Sequence, residues 1–129
     1  ILIMEKEGAA VLVVDDDALI QEMLKRVIDN KGVRCQTCSS GDEALKILNA
    51  TKSIKLVLLD INMPEMSGDE MMSLLKKNYP SLNVIMITGY EDIDVAKKCM
   101  RLGAKDFITK PFDLEYLETS VMTQIIPLL

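Results

Sequence analysis

The sequence predicts an α/β fold in which helices cover both faces of a parallel five-stranded sheet. Two observations support this prediction. Short aliphatic runs alternate five times with longer stretches whose apolar residues recur at helical spacing. Several of the aliphatic runs are continuously apolar, as expected for strands that are covered on both faces. Right-handed connections between such strands give an open, doubly wound sheet in a three-layer sandwich.

The elements can be assigned in order from these runs and stretches. The strands are predicted at residues 10–14, 33–38, 55–60, 82–88 and 105–109. The helices are predicted at residues 18–30, 43–50, 69–78, 91–103 and 113–126. Apolar residues at helical spacing should face the core from the first helix (Leu19, Ile20, Met23, Leu24, Val27 and Ile28) and from the last (Leu114, Leu117, Val121 and Ile125).

Three helices have a recognisable start. Ser40-x-x-Glu43 and Ser67-x-x-Glu70 are capping boxes, in which a hydroxyl accepts a hydrogen bond from an amide of the first turn. Asp113 precedes the last helix and is predicted to cap it in the same way. These starts place the helices directly after the loops that follow the strands.

The composition limits the chemistry available to the chain. Its 129 residues are enough for one domain with one real core. Its net charge of −5 provides no electrostatic footprint for nucleic acid, so no direct nucleic-acid partner is expected. The sequence contains no histidine, which excludes Ser-His-Asp and Cys-His nucleophile pairs, histidine metal ligands and a phosphohistidine within this chain.

The three cysteines are interpreted as reduced packing residues. Cys35 and Cys38 form a C-x-x-C pattern, but they fall on a predicted strand, where a spacing of three puts the side chains on opposite faces. Redox C-x-x-C motifs instead lie at a helix N-terminus, which stabilises the thiolate. An odd cysteine count without a secretory signal favours a cytoplasmic location.

The domain is expected to span residues 9–126. Residues 1–8 are interpreted as an upstream extension, and residues 127–129 as the C-terminal end and the start of a linker. No apolar run reaches the roughly 18 residues that a membrane helix needs, so no membrane partner is expected.

Polar side chains lie at the carboxyl ends of four predicted strands or directly after them, where open α/β sheets bind ligands. Crowded carboxylates raise one another's pKa unless a cation neutralises them, and oxygen ligands without histidine favour Mg²⁺, or its relative Mn²⁺. A lysine and a hydroxyl beside such an ion suit a phosphoryl group, and one carboxylate would then be the nucleophile. The side chains are Asp15, Asp16 and Asp17 after the first strand, Asp60 in the third, Thr88 in the fourth and Lys110 after the fifth.

Four motifs give the chain a resemblance to the response-regulator receiver domain, the phosphoacceptor module of two-component signalling. They are "VLVVDDD", "LVLLDINMPEMSG", "VIMITGY" and "DFITKPF", and they occur in the order and spacing of that family. The resemblance covers residues 9–126 and implies a flavodoxin-like (βα)5 fold with strand order 2-1-3-4-5.

The resemblance also implies a role for each polar strand end. It makes Asp60 the phosphoacceptor, which becomes an aspartyl phosphate. It makes the Mg²⁺ ligands Asp15, Asp16, Asp60 and the backbone carbonyl of Asn62, with Asp16 as the direct ligand and Asp15 acting mostly through water. Lys110 aligns with the lysine that pairs with the phosphoryl group.

Four further residues complete the comparison. Thr88 aligns with the hydroxyl of the switch, and Phe107 with the aromatic side chain that moves inward when that hydroxyl moves toward the phosphoryl group. The bond from Lys110 to Pro111 is expected to be cis. Asp17 departs from the family pattern and is interpreted as a helix-start residue rather than a ligand.

The implied function is one step of a phosphorelay. A histidine kinase or a phosphotransfer protein donates its phosphoryl group to Asp60. The switch then alters the surface of the fourth helix, fifth strand and fifth helix, which controls an output domain or partner protein and could support a homodimer. The chain would catalyse only its own phosphorylation and dephosphorylation, and is therefore not expected to be an enzyme in the ordinary sense.

Three alternatives belong to other classes. A haloacid-dehalogenase-like, Mg²⁺-dependent phosphatase would use Asp15 as its nucleophile, but this leaves Asp60 unexplained and needs a longer chain with late paired acids. A flavodoxin would need a hydroxyl-rich phosphate loop where this chain has carboxylates that repel FMN. A pseudo-receiver would bind partners without phosphorylation, although every residue expected of an active receiver is present.

Overall fold

The computed structural model describes residues 8–63 and 65–128, without the side chain of Tyr90. The expected upstream extension lies outside these ranges except for Gly8, and so does Leu129 at the other end. In the described ranges, no helix is long and apolar enough to cross a membrane.

Five parallel strands form a single sheet in the order β2-β1-β3-β4-β5, which confirms the predicted order. The strands are β1 (Val11–Val14), β2 (Cys35–Cys38), β3 (Leu56–Asp60), β4 (Asn83–Thr88) and β5 (Asp106–Thr109). β1 pairs with β2 on one side and with β3 on the other. The strand order therefore reverses at β1 and β3, and this reversal opens a crevice at their carboxyl ends.

The helices follow the strands in alternation, as predicted. They are α1 (Ala18–Asp29), α2 (Gly41–Ala50), α3 (Gly68–Asn78), α4 (Ile93–Arg101) and α5 (Leu114–Ile125). α4 begins two residues later than the sequence pattern predicts. Glu91 and Asp92 belong to a preceding 3₁₀ turn, in which the Asp92 amide donates to the Gly89 carbonyl at 3.1 Å.

The sheet divides the core of the domain, which the chain length predicts as one, into two layers, because successive strand residues point to opposite faces. Leu12 and Met86 belong to the core that packs against α2, α3 and α4. Val13 and Ile87 belong to the core that packs against α1 and α5. The fold is thus the predicted three-layer sandwich.

The cysteines behave as the sequence predicts. Cys38 lies in the core beneath α2, α3 and α4, whereas Cys35 lies in the core beneath α1 and α5, so the two side chains point to opposite faces. Burial raises the pKa of both thiols to about 12, which keeps them protonated near neutral pH. Cys35, Cys38 and Cys99 are buried and free of disulfides.

Two apolar residues predicted to face the core do not. Leu19 is 75% exposed and Leu114 is 46% exposed, although Leu24, Leu117 and other members of their stripes are buried. Both exposed residues lie in the first turn of their helix, beside the strand ends. Helical spacing alone does not reveal that the sheet no longer lies beneath the helix at this point.

The predicted helix starts are confirmed in position, with one correction in detail. Ser40 Oγ accepts from the Glu43 amide at 3.2 Å, and Asp113 Oδ1 accepts from the Tyr116 amide at 3.1 Å. Ser67 is also an N-cap residue, but its hydroxyl makes no cap bond. The capping box predicted at this helix start is therefore not formed.

Candidate functional site

The strand ends that carry the predicted site residues surround an open cavity of about 350 Å³. β1, β3, β4 and β5 each contribute the residues that directly follow or end them. The lining consists of Asp16, Asp17, Asp60, Asn62, Gly89, Glu91, Asp92 and Lys110. The topology therefore brings all four sequence motifs to the same edge of the sheet.

Three carboxylates form a tight cluster at this cavity. Asp15, Asp16 and Asp60 each place one oxygen within 4.8 Å of the others. Asp15 is fully buried and Asp60 is 4% exposed, whereas Asp16 is exposed. Burial raises the pKa of Asp15 above its ordinary value, and the charge of Asp60 raises it further, against the opposing effects of an amide hydrogen bond and Lys110. A set of crowded, hard oxygen donors of this kind fits a divalent cation such as Mg²⁺.

Lys110 supplies a positive charge to the cluster. Its Nζ lies 3.4 Å from Asp15 Oδ2 and 3.6 Å from Asp60 Oδ2. Burial opposes the charged form, but Asp60 and Asp15 outweigh this effect and raise the pKa of Lys110. The peptide bond from Lys110 to Pro111 is cis, as the sequence comparison implied. One lysine cannot balance three carboxylates, so the charge of the cluster stays negative.

The loop after β1 is held by bonds between its own acids. Asp15 Oδ1 accepts from the Asp17 amide at 2.9 Å, and Asp17 Oδ1 accepts from the Leu19 amide at 2.9 Å. The second bond makes Asp17 the N-cap of α1, which confirms its interpretation as a helix-start residue. Asp17 nevertheless lines the cavity.

The loop after β3 packs closely against the strand. Asp60 Oδ1 accepts from the Asn62 amide at 3.0 Å, and Asn62 forms a bridge with Ser67 that closes the loop. A side chain at Gly68 would place its Cβ only 2.9 Å from the Cα of Ile61, so the approach requires glycine. This packing holds the start of α3 against the carboxyl end of β3.

Thr88 and Phe107 lie on the sheet face that α4 covers. Thr88 is buried, and its hydroxyl donates to the Gly89 carbonyl at 2.9 Å. Phe107 is half-buried and packs against the core that includes Met86, its partner in the β4–β5 register. Their positions on neighbouring strands are compatible with a switch, whose movement stays a prediction.

Sequence reasoning missed three residues around the cavity. Glu91 and Asp92 line it, and a signal was available, because both acids occur within four positions of Thr88 at a strand end. Gln21 donates to the carbonyl of Asp15 at 2.6 Å and to that of Cys38 at 3.0 Å. Nothing in the sequence distinguishes Gln21 from other polar residues of an amphipathic helix.

Comparison with known proteins agrees with this geometry. Residues 11–122 match the family model of the response regulator receiver domain. The DNA-binding transcriptional regulator NtrC of Proteus hauseri is 38% identical over 105 residues, which are 81% of this chain and 22% of that protein. A cyclic di-GMP phosphodiesterase of Thermotoga maritima is 32% identical over 111 residues, which are 86% of this chain and 29% of that protein.

Solved structures show the same similarity for the fold. The receiver domain of NtrX from Brucella abortus superposes with a TM-score of 0.84 at 33% identity, covering 88% of this chain and 96% of that one. The chain spans only about a fifth of the length of the NtrC relative. The match of the family model to most of the chain, the strand order and the four motifs lead to one conclusion: the chain belongs to the response regulator receiver domain family.

Proposed function

We propose that Asp60 accepts a phosphoryl group from the phosphohistidine of a histidine kinase or a phosphotransfer protein. In this step a carboxylate oxygen of Asp60 forms a bond to phosphorus. The bond from phosphorus to the donor's imidazole nitrogen breaks, and its electron pair stays on the nitrogen. The observation that carries the proposal is the position of Asp60 beside Lys110 and two other aspartates at an open cavity.

The other residues of the site have supporting roles in the proposed reaction. Lys110 would pair with an oxygen of the incoming phosphoryl group, since its Nζ lies between the carboxylates of Asp15 and Asp60. Asp15, Asp16, Asp60 and the carbonyl of Asn62 would hold Mg²⁺. When bound, the ion would supply the positive charge that offsets the crowded carboxylates and the phosphoryl oxygens. Hydrolysis by water would later release phosphate and restore the Asp60 carboxylate.

The burial of Asp15 argues against the phosphatase alternative. That mechanism needs the first acid of a D-x-D pattern to attack the substrate. Asp15 is fully buried, accepts from the Asp17 amide and lies beside Lys110. Asp60 instead lines the cavity that a donor would approach. Asp60 is therefore better placed than Asp15 to act as the nucleophile.

The proposed signal leaves the site through Thr88 and Phe107. Phosphorylation of Asp60 would draw the Thr88 hydroxyl from the Gly89 carbonyl to a phosphoryl oxygen, and Phe107 would turn into the space that becomes free. Both side chains lie on the sheet face beneath α4, so their movement would alter the surface of α4, β5 and α5. We propose that this surface controls an output domain or a partner protein, and that it also serves in any homodimer.

Intact mass spectrometry tests the central step directly. The purified chain is incubated with Mg²⁺ and a small phosphoryl donor such as acetyl phosphate, and its mass is compared before and after. We expect one phosphoryl group per chain. The Asp60→Asn variant should gain none, whereas Asp42→Asn, which changes an exposed acid of α2, should be modified like the original chain.

Two results would contradict the proposal. An unmodified chain, under conditions in which a known receiver is modified, would favour the pseudo-receiver alternative. A phosphoryl group that persists in Asp60→Asn would place the modification on another residue.

A further inference from the structure

We propose that Gln21 is a positioning residue for Asp16, the exposed acid of the carboxylate cluster. The inference rests on the proposed function, because it assigns Asp16 to the Mg²⁺ site. It concerns a side chain that none of the four sequence motifs contains. Gln21 lies in the first turn of α1, where its own amide donates to the Asp17 carbonyl at 3.0 Å.

The side-chain amide of Gln21 joins the ends of two strands. Its Nε2 lies 2.6 Å from the carbonyl oxygen of Asp15, 3.0 Å from that of Cys38 and 3.2 Å from Ser39 Oγ. The Cys38 carbonyl also accepts from the Asp15 amide at 3.1 Å. Gln21 is half-buried, and its donors thus satisfy carbonyls at the point where β1 and β2 both end.

The position of the Asp15 carbonyl bears directly on Asp16. That carbonyl belongs to the peptide unit that joins Asp15 to Asp16, and a peptide unit is planar. Fixing its oxygen therefore fixes the direction in which the Cα of Asp16 leaves the strand. On the other side of Asp16, the Asp17 amide is held by Asp15 Oδ1 at 2.9 Å.

Asp16 is thus clamped through the backbone on both sides. Its carboxylate is exposed, so its direction depends on this backbone more than on packing. Its oxygen nevertheless lies within 4.8 Å of oxygens from Asp15 and Asp60. A cation that requires three converging oxygens would bind more weakly if the first clamp were removed, because the loop would have to be ordered on binding.

Calorimetric titration with Mg²⁺ alone tests the inference without any phosphoryl donor. The main variant is Gln21→Met, which keeps the length of the side chain and removes both donors. We expect its affinity for Mg²⁺ to fall by about tenfold, the lower end of the effect of residues that orient metal ligands. Gln36→Met is the matched control, because it removes a half-buried glutamine of β2 that lies outside the cavity, and it should bind as the original chain does.

A second readout separates positioning from a merely structural role. The phosphorylation rate is measured over a range of Mg²⁺ concentrations, together with thermal unfolding in the absence of Mg²⁺. Gln21→Met should need about ten times more Mg²⁺ for half its maximal rate, with the maximal rate itself within about twofold of the original. A residue that only stabilised the fold would lower the unfolding temperature and leave the affinity of the folded protein unchanged.

Gln21→Asn is a second variant, for use if Gln21→Met does not fold. It keeps the polar amide but is one methylene too short to reach both carbonyls, so its affinity for Mg²⁺ should fall to the same extent. The inference is overturned if either folded variant binds Mg²⁺ within about twofold of the original chain. If the original chain itself binds no Mg²⁺, the metal site of the proposed function fails instead, and the two failures are therefore distinguishable.

Discussion

The two sides of the acidic cavity are held in different ways. On the β1 side, Asp15, Asp17 and Gln21 connect the loop to α1 and to β2 through several hydrogen bonds. On the β4 side, the Thr88 hydroxyl bonds to the carbonyl of the next residue. Among the described residues, neither the 3₁₀ turn after β4 nor α4 has a side-chain cap bond at its start.

This difference corresponds to the two tasks of the proposed reaction. Holding a cation and a nucleophile in place requires side chains that are ordered before the donor arrives. Transmitting the result requires an element that can change its arrangement at small energetic cost. The β1 side is suited to the first task and the β4 side to the second, and the following changes would test this division.

The largest effect is expected for Asp15→Asn on the β1 side. Burial and the charge of Asp60 raise the pKa of Asp15, so a neutral side chain should be tolerated better than the charged one in the absence of metal. We expect the metal-free variant to unfold at a higher temperature than the original chain. Its stabilisation by Mg²⁺ should be lost, whereas the original chain gains about 2.7 kcal/mol at a hundred times its dissociation constant.

Thermal unfolding with and without Mg²⁺ measures both effects of Asp15→Asn. Asp42→Asn again serves as the control, because it removes one negative charge from a residue that does not line the cavity. Equal stabilisation of the Asp15→Asn variant and the original chain by Mg²⁺ would show that the buried acid is not needed for the ion.

A second change, Thr88→Val, should affect the β4 side alone. The net contribution of one hydrogen bond to stability is small, so loss of the Thr88 hydroxyl should lower the free energy of unfolding by about 1 kcal/mol or less. Asp60 should still be phosphorylated, but the ring signals of Phe107 in an NMR spectrum should no longer move on phosphorylation. Thr109→Val, at the paired position on β5, should retain the movement. If the Phe107 signals still moved in Thr88→Val, the movement of Phe107 would not depend on the Thr88 hydroxyl.

The third change, Asp17→Ala, tests whether this acid belongs to the helix or to the metal. The loss of an N-cap typically costs about 1 kcal/mol of unfolding free energy, which urea denaturation measures. Asp17→Ser should restore most of this loss, since serine is an equally good cap. The Mg²⁺ affinity of both variants should match that of the original chain, and a tenfold weaker affinity would identify Asp17 as a ligand despite its bond to the Leu19 amide.

The part of the site that the sequence predicted is the part that topology dictates. Asp60 and Lys110 are far apart in the chain, but both lie at carboxyl ends of parallel strands, and such ends meet at one edge of the sheet. Gln21 was missed because only the folded chain brings its side chain to the carbonyls of Asp15 and Cys38, and Glu91 because the turn after β4 decides which residues line the cavity. Leu19 was misplaced for a related reason, since helical spacing does not show where the sheet ends beneath a helix.

The smallest effect is expected where α4 meets α3, at the exposed ion pair between Lys98 and Asp69. Lys98 Nζ lies 2.9 Å from Asp69 Oδ2, and this bond is the largest of the effects that lower the pKa of Asp69 from 3.8 to about 2. A carboxyl group with a lowered pKa stabilises the fold above its ordinary pKa and loses this contribution as the pH falls through the lowered value. The stability difference between the original chain and Asp69→Asn, measured by urea denaturation, should therefore be small near neutral pH and shrink further between pH 3.8 and about 2. Asp94→Asn, which changes an exposed acid of α4, should show no such convergence. A difference for Asp69→Asn that stayed constant over this range would mean that the ion pair does not stabilise the packing of α4 against α3.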